Sequence, residues 1–139
     1  MEIQGLNDLQ RDLLNASRNA QRQMPKLMRK VGSKARVAVA KKSRTLVKKK
    51  TGNYQKGWKR GKVFVGYDGA LTIRVYNGSP HAHLIEDGHR MVSESGEDLG
   101  IFVHGKKVLK KGMQEFDASG VPQKMMSDWL DDLLEQNRL

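Results

Sequence analysis

Apolar residues at Leu6, Leu9, Leu13, Ala16, Ala20, Met24, Leu27, Val31, Ala35 and Ala38 recur every three or four positions. That spacing fits one face of a helix and not a strand, so the chain is expected to be helical from Leu6 to about Val47. Pro25 falls inside the pattern, where it lacks an amide donor and crowds the preceding turn. A break or kink is therefore expected near Gln23 to Pro25, with Pro25 in the first turn of a second helix. Two helices or one bent helix both satisfy the pattern. Gly32 weakens the second stretch by roughly 1 kcal/mol relative to alanine, and the periodicity carries it. Thr51-Gly52-Asn53 ends the helical signal.

The pattern then changes period. In KVFVGYDGALTIRVYN, residues 62–77, Val63, Val65 and Tyr67 alternate on one side of Asp68-Gly69 and Leu71, Ile73 and Val75 on the other. This predicts two short strands joined by a two-residue type I′ turn. A third strand is expected from His81 to Glu86, after the turn Gly78-Ser79-Pro80, and a fourth over Ile101-Phe102-Val103. Between them SESGEDLG, residues 93–100, is polar, acidic and glycine-bearing, which predicts an exposed mobile loop. Ser93, Glu94, Glu97 and Asp98 make it a candidate partner-contact loop. The end is helical again, with Met125, Met126, Trp129, Leu130, Leu133 and Leu134 on one face and Asp128, Asp131, Asp132 and Glu135 on the other. Pro122 suits its start. The expected fold class is α+β, with a long N-terminal helix or helix pair, a small antiparallel sheet with a hairpin, and a C-terminal helix.

Length and composition narrow this further. At 139 residues and 37% hydrophobic, the chain fits a single domain spanning 1–139 with one modest core. It has no apolar run long enough for a membrane span and no secretory leader, so a soluble protein made in a cytoplasm is expected. The absence of cysteine excludes disulfides, thiolate catalysis and cysteine-based zinc sites. The net charge of +11 is unevenly placed: residues 1–60 hold 17 basic and 3 acidic side chains, residues 61–139 hold 9 and 12. Such asymmetry points to nucleic acid, to an acidic surface, or to a neighbouring copy whose acidic half meets this basic one.

On a helix Lys26, Lys30, Lys34, Lys41, Arg44 and Lys48 fall within an arc of about 80°, separate from the apolar stripe. Residues 26–60 hold fourteen Lys or Arg and no acid. A line of cations on a rigid rod suits a line of phosphates. No aromatic residue interleaves before Tyr54 to stack on bases, and no base-reading module is present. Two readings stay open: a solvated or subunit-facing helix side, or direct DNA contact without sequence specificity. Lys42 and Lys49 project onto the apolar arc, so the core-facing stripe is expected to narrow toward the helix end.

His81-Ala82-His83, followed by Glu86, Asp87 and His89, is the other cluster with chemical interest. On a strand both imidazoles would face one way and could meet a metal with a carboxylate as third ligand. A histidine pair on a sheet needs no metal, and no second ligand motif fixes a geometry, so no metal, cofactor or catalytic residue is assigned. The chain carries no G-x-S-x-G, no P-loop and no dinucleotide fingerprint, and an enzyme is not expected.

Several separated pieces resemble one family. EIQGLNDLQRDL, the lysine-rich helix, KKKTGNYQKGW, the hairpin and SPHAHLIEDGH are similar to the tailed-phage morphogenesis family typified by the HK97 gene product ten protein. Its members typically show a GL-x-x-L opening, a basic helix ending in TG-x-L or TG-x-Y, and a Y-A-x-x-V-E-x-G-T stretch. Glu86 and Gly88 match the E-x-G, read as a strand-ending turn. His81 stands where the family often has Tyr, and His89 where it often has Thr. Thr51-Gly52 lacks the usual preceding Pro-x-Asp and has Lys48 to Lys50 instead.

The resemblance implies a structural, non-enzymatic virion protein of the head-tail connection, at the neck or tail end. Such a tail completion or tail-to-head joining subunit is assembled in the bacterial host cytoplasm. Its implied partners are copies of itself in a ring around the DNA passage, the head connector and the tail tube, with no membrane. Sequence-independent binding of duplex DNA is the alternative. In either case the six stripe cations are the candidate DNA-facing or subunit-contact residues.

Overall fold

The computed structural model describes residues 4–48 and 52–139. Its frame is helix α1, Gln4–Leu46, whose 43 residues run through Pro25 without interruption. Of the two arrangements the pattern allows around Gln23 to Pro25, the chain takes the single helix, with no break. Gln21, whose carbonyl loses the missing Pro25 amide, is exposed, so solvent can take that bond. Ala16 and Leu27, buried on either side, hold both halves against the rest of the chain. That packing outweighs the roughly 3 kcal/mol a proline costs inside a helix. Gly32 is buried because side chains pack on it: a Cβ there would lie 2.7 Å from Ile73 Cδ1. Lys49, Lys50 and Thr51 of the lysine-rich turn lie outside the described residues, as do residues 1–3.

After Gly52 comes a short helix, α2, Asn53–Lys56, and then two nested antiparallel pairs. Strand β1, Trp58–Arg60, pairs with β4, Val75–Asn77, in the register Trp58↔Asn77 and Arg60↔Val75; β2, Phe64–Val65, pairs with β3, Leu71–Thr72. The expected hairpin is present, but its loop covers residues 66–70 and is not the two-residue turn. Gly69 has φ 81° while Asp68 stays out of the positive-φ region that a type I′ turn requires of both. Asp68 Oδ1 instead accepts the Ala70 amide at 3.0 Å, and the Gly69 amide donates to the Gly66 carbonyl at 2.9 Å. This side-chain turn replaces the tighter backbone one.

Helix α3, Ala82–Asp87, stands where a third strand was expected from His81 to Glu86. The Ser79 carbonyl accepts the Ala82 amide, and the His81 carbonyl accepts those of Leu84 and Ile85 at 3.1 and 3.3 Å. Leu84 and Ile85 are adjacent and both partly buried, which one turn of helix accommodates and an alternating strand does not. Gly88 then opens β5, Gly88–Val92, antiparallel to β6, Asp98–His104. Glu86 and Gly88 therefore join a helix to a strand, correcting their reading as a strand-ending turn. The strand expected at Ile101 to Val103 is extended in both directions, and residues 98–100, expected in a loop, belong to it.

Helix α4, Val108–Ala118, is an element the sequence reading leaves out, although Val108, Leu109, Gly112, Met113 and Phe116 carry helical spacing. Helix α5, Val121–Gln136, starts as expected with Pro122 in its first turn. Its apolar face is narrower than expected: Met125, Trp129, Leu133 and Leu134 turn inward, while Met126 and Leu130 are exposed. The whole is α+β: α4, α5 and the β1–β4 ladder pack along α1, and among the described residues the β2–β3 and β5–β6 pairs form two further, separate ladders.

The core lies on the C-terminal half of α1. Val39, Ala40, Trp58 and Val108 are buried together, surrounded by Leu46, Val47, Tyr54, Val75 and Leu109. Gly112 lets α4 close on α1, since a Cβ there would already stand 3.1 Å from Val39 Cα. Two caps tie the periphery down. Glu86 accepts the amides of Leu109 at 2.9 Å and Lys110 at 3.1 Å, satisfying donors at the start of α4 that its own N-cap, Lys107, leaves without a side-chain bond. Near the other end, the Asn19 amide donates to Asn137 Oδ1 at 2.8 Å, joining α1 to the end of α5.

Gly88 has φ 90° and ψ 177°, and a Cβ there would strike the Val103 carbonyl oxygen and the Gly105 amide nitrogen. Gly88→Ala is expected to lower unfolding free energy by about 2 kcal/mol or more. Val39→Ala, which empties a fully buried site, is expected to cost about 2 kcal/mol. Urea unfolding followed by circular dichroism measures both.

Candidate nucleic-acid and subunit interface

Five of the six stripe residues are placed by α1. Lys26, Lys30, Lys34, Lys41, Arg44 and Lys48 are all exposed, with Lys48 just beyond the last turn. At a rise of about 1.5 Å per residue the row is about 33 Å long. Among the described residues, none of the six has a carboxylate within ion-pair distance; the ion pairs among those residues are Asp8–Arg11, Lys42–Glu115, Asp87–Lys107, Arg90–Asp98 and Lys124–Asp128. The stripe is thus positive surface that the fold itself leaves uncompensated. Val37, 52% exposed, sits among these cations.

Lys42 explains how a cation fits on the apolar arc. Its Nζ lies 2.6 Å from Glu115 Oε1 of α4, with the lysine side chain only 24% exposed. Removing the stem from water while the ammonium meets a carboxylate lets this position pack between the helices. Lys49, the other cation expected on that arc, lies outside the described residues.

Toward the end of α1 the cationic surface continues into a groove of about 1010 Å³, whose lining includes Arg44, Lys48, Lys106 and His81 over Leu46, Val47, Tyr54 and Ile85. Tyr54 is partly buried, and its hydroxyl has no hydrogen-bond partner among the described residues. Its ring meets Trp58 edge-on at 5.7 Å. Burial, and secondarily the Glu86 carboxylate, push the Tyr54 phenol up from 10.0 to about 12. The tyrosine at the end of the lysine-rich turn is therefore a core anchor, not a base-stacking surface.

The histidine cluster does not form a site. His81 precedes α3 and His83 lies within it, two positions apart on a helical path, so the shared strand face that would have aimed both rings at one ion is absent. Among the described residues no group of three or more His, Cys, Asp or Glu side chains is arranged to hold a metal. Glu86, the carboxylate nearest in sequence, is committed to the α4 amides.

Ser93, Glu94, Glu97 and Asp98 sit at the far end of the β5–β6 hairpin. The Ser93 amide donates to the Glu97 carbonyl at 2.8 Å, and Ser93 Oγ accepts the Glu97 amide at 3.1 Å, closing the turn. Asp98 pairs with Arg90 at 2.8 Å, whereas Glu94 and Glu97 are exposed with no cation in range among the described residues. The strands carry exposed Met91, Val92, Leu99, Ile101 and Phe102, a feature that alternation alone did not flag. A second unpartnered apolar row, Leu6, Leu9, Leu13 and Leu14, lies on the first turns of α1.

A family model described as bacteriophage HK97-gp10, a candidate tail component, matches residues 7–88. No curated protein and no solved structure gives a significant match. No helix among the described residues is long and apolar enough to cross a membrane.

Below pH 10 the Tyr54 phenol is protonated in both folded and unfolded chains. Between pH 10 and about 12 the unfolded chain releases this proton while the folded one retains it. Stability is expected to fall as pH rises through that window. Tyr54→Phe should flatten the Tyr54 part of this fall in denaturation midpoints measured from pH 9 to 12.

Proposed function

The chain belongs to the HK97-gp10-like family of phage tail components, and from that premise we propose that it is a tail completion or tail-to-head joining subunit that closes as a ring around the DNA passage. On this reading its partners are copies of itself, the head connector and the tail tube. It assembles in the bacterial cytoplasm and ends in the neck or tail end of the virion.

The observation that carries the reading is the segregation of unpaired charge. Five exposed cations line one side of α1, with Lys48 just past its end, and exposed carboxylates stand on α5 and at the β5–β6 turn. A surface of one sign and a separate surface of the other on the same chain suit a heterologous contact, in which each copy offers a different patch to each neighbour. Such contacts close into rings when the rotation between copies divides a full turn. Exposed apolar side chains on the first turns of α1 and on the hairpin supply the surface that a lasting contact removes from water.

A second reading, a DNA-binding module without sequence preference, is favoured by the same row of cations, because its length spans many phosphates. It predicts tight duplex binding whose log affinity falls steeply with log salt. Weak binding at low salt removes it.

Lys41→Glu, Arg44→Glu and Lys48→Glu combined are expected to abolish incorporation into tails and self-association, measured by negative-stain microscopy and sedimentation. Normal assembly of that variant returns the stripe to a merely solvated helix side. A wild-type chain that stays monomeric and never associates with tails or connectors overturns the ring itself.

A further inference from the structure

We propose that the β5–β6 hairpin is a docking arm whose acidic tip seats on the cationic side of α1 in a second copy of this chain, around Lys30, Lys34, Val37 and Lys41. This rests on the ring reading and specifies which two surfaces make its contact.

The hairpin is built as an extension with little of its own to pack against. Its strands pair with each other, and β5 touches α3 at its base. Beyond the base, Met91, Val92, Leu99, Ile101 and Phe102 are all exposed, so neither side of the ladder is covered. A two-stranded ladder with open apolar faces is only marginally stable alone in water, and further packing is what stabilises it. Its tip carries Glu94 and Glu97 without cations in range among the described residues, because the one nearby cation, Arg90, is taken by Asp98. An acidic tip with apolar sides is repelled by DNA and calls for a positive surface with an apolar centre.

The chain offers that surface elsewhere on itself. Lys30, Lys34 and Lys41 are exposed without carboxylates in ion-pair range among the described residues, and Val37 stands between them. The match is chemical in both parts: Glu94 and Glu97 against the lysines, with exposed Leu99, just past the turn, against Val37. The contact pairs two different patches, so it propagates from copy to copy in one direction, as a ring requires. In this arrangement the stripe is occupied by protein along Lys30 to Lys41 and is not the wall of the DNA channel there.

Two charge reversals test it in sedimentation and in tail assembly: Glu94→Lys with Glu97→Lys on the hairpin, and Lys30→Glu, Lys34→Glu and Lys41→Glu on the stripe. Each alone is expected to weaken association at least about tenfold. Mixing the two variants, or combining all five changes in one chain, is expected to restore it. All five side chains are exposed, so unchanged melting curves exclude unfolding as the cause. Because the chain contains no cysteine, a chain carrying Val37→Cys and Leu99→Cys is expected to form a disulfide-linked ladder of multimers under oxidation. If wild-type chains associate but the hairpin reversal associates equally well and no ladder forms, the docking arm is overturned and the ring stands. If wild-type chains do not associate with each other or with tails, both are overturned.

Discussion

The approach of α4 to α1 at Gly112 and Val39 decides where everything else can go. With no side chain at Gly112, the two helices close on Val39 and Val108, and Trp58, Leu46, Val47 and Val75 fill in around them. This fixes which side of α1 is turned inward. Ser43, whose Oγ bonds the Ala40 carbonyl at 2.6 Å, is fully buried on the same side, so even the polar position there is satisfied within the helix. The opposite side is left to Lys26, Lys30, Lys34, Lys41 and Arg44, and their exposure follows from the packing as much as from their charge.

From this comes a division of labour along one helix. Its C-terminal half organises the core, the stripe on its solvent side carries charge without ion pairs among the described residues, and its first turns carry exposed leucines. Isolated surface ion pairs contribute little to stability. The fold is therefore held by burial and by a few caps, and its uncompensated charge remains available for contacts between molecules. The sole ion pair that α1 makes with another element among the described residues, Lys42–Glu115, lies on the packed side.

Much of this was legible from periodicity. The long helix, the cationic arc, the hairpin around Asp68-Gly69 and the start of the last helix at Pro122 all follow from spacing and turn chemistry. What failed did so for local reasons. Pro25 left two helices or one open, and packing on both flanks decides for one. His81 to Glu86 was too short for its period to be decided, and the hydrogen bonds accepted by the Ser79 and His81 carbonyls settled it as a helix. The role of Glu86 was hidden because its partners, the amides of Leu109 and Lys110, are more than twenty positions away. The charged stripe and the acidic turn could be named from sequence. The absence of internal partners for them could not, since pairing depends on which faces the fold brings together.

Glu86 and Gly88 also have a mechanical consequence. The carboxylate fastens α3 to α4, and two residues later the chain enters β5, so the hairpin leaves the body from a pivot that the Glu86 cap holds together with the Lys106 amide on the Ile85 carbonyl and the Asp87–Lys107 pair. Five strand residues at about 3.3 Å each make a lever of about 16 Å, and a tilt of about 10° at the pivot carries its tip through roughly 3 Å. On the proposed docking of the hairpin, the angle at which one subunit reaches for another is thus set at this junction of α3, β5 and the start of α4, behind the contact surface.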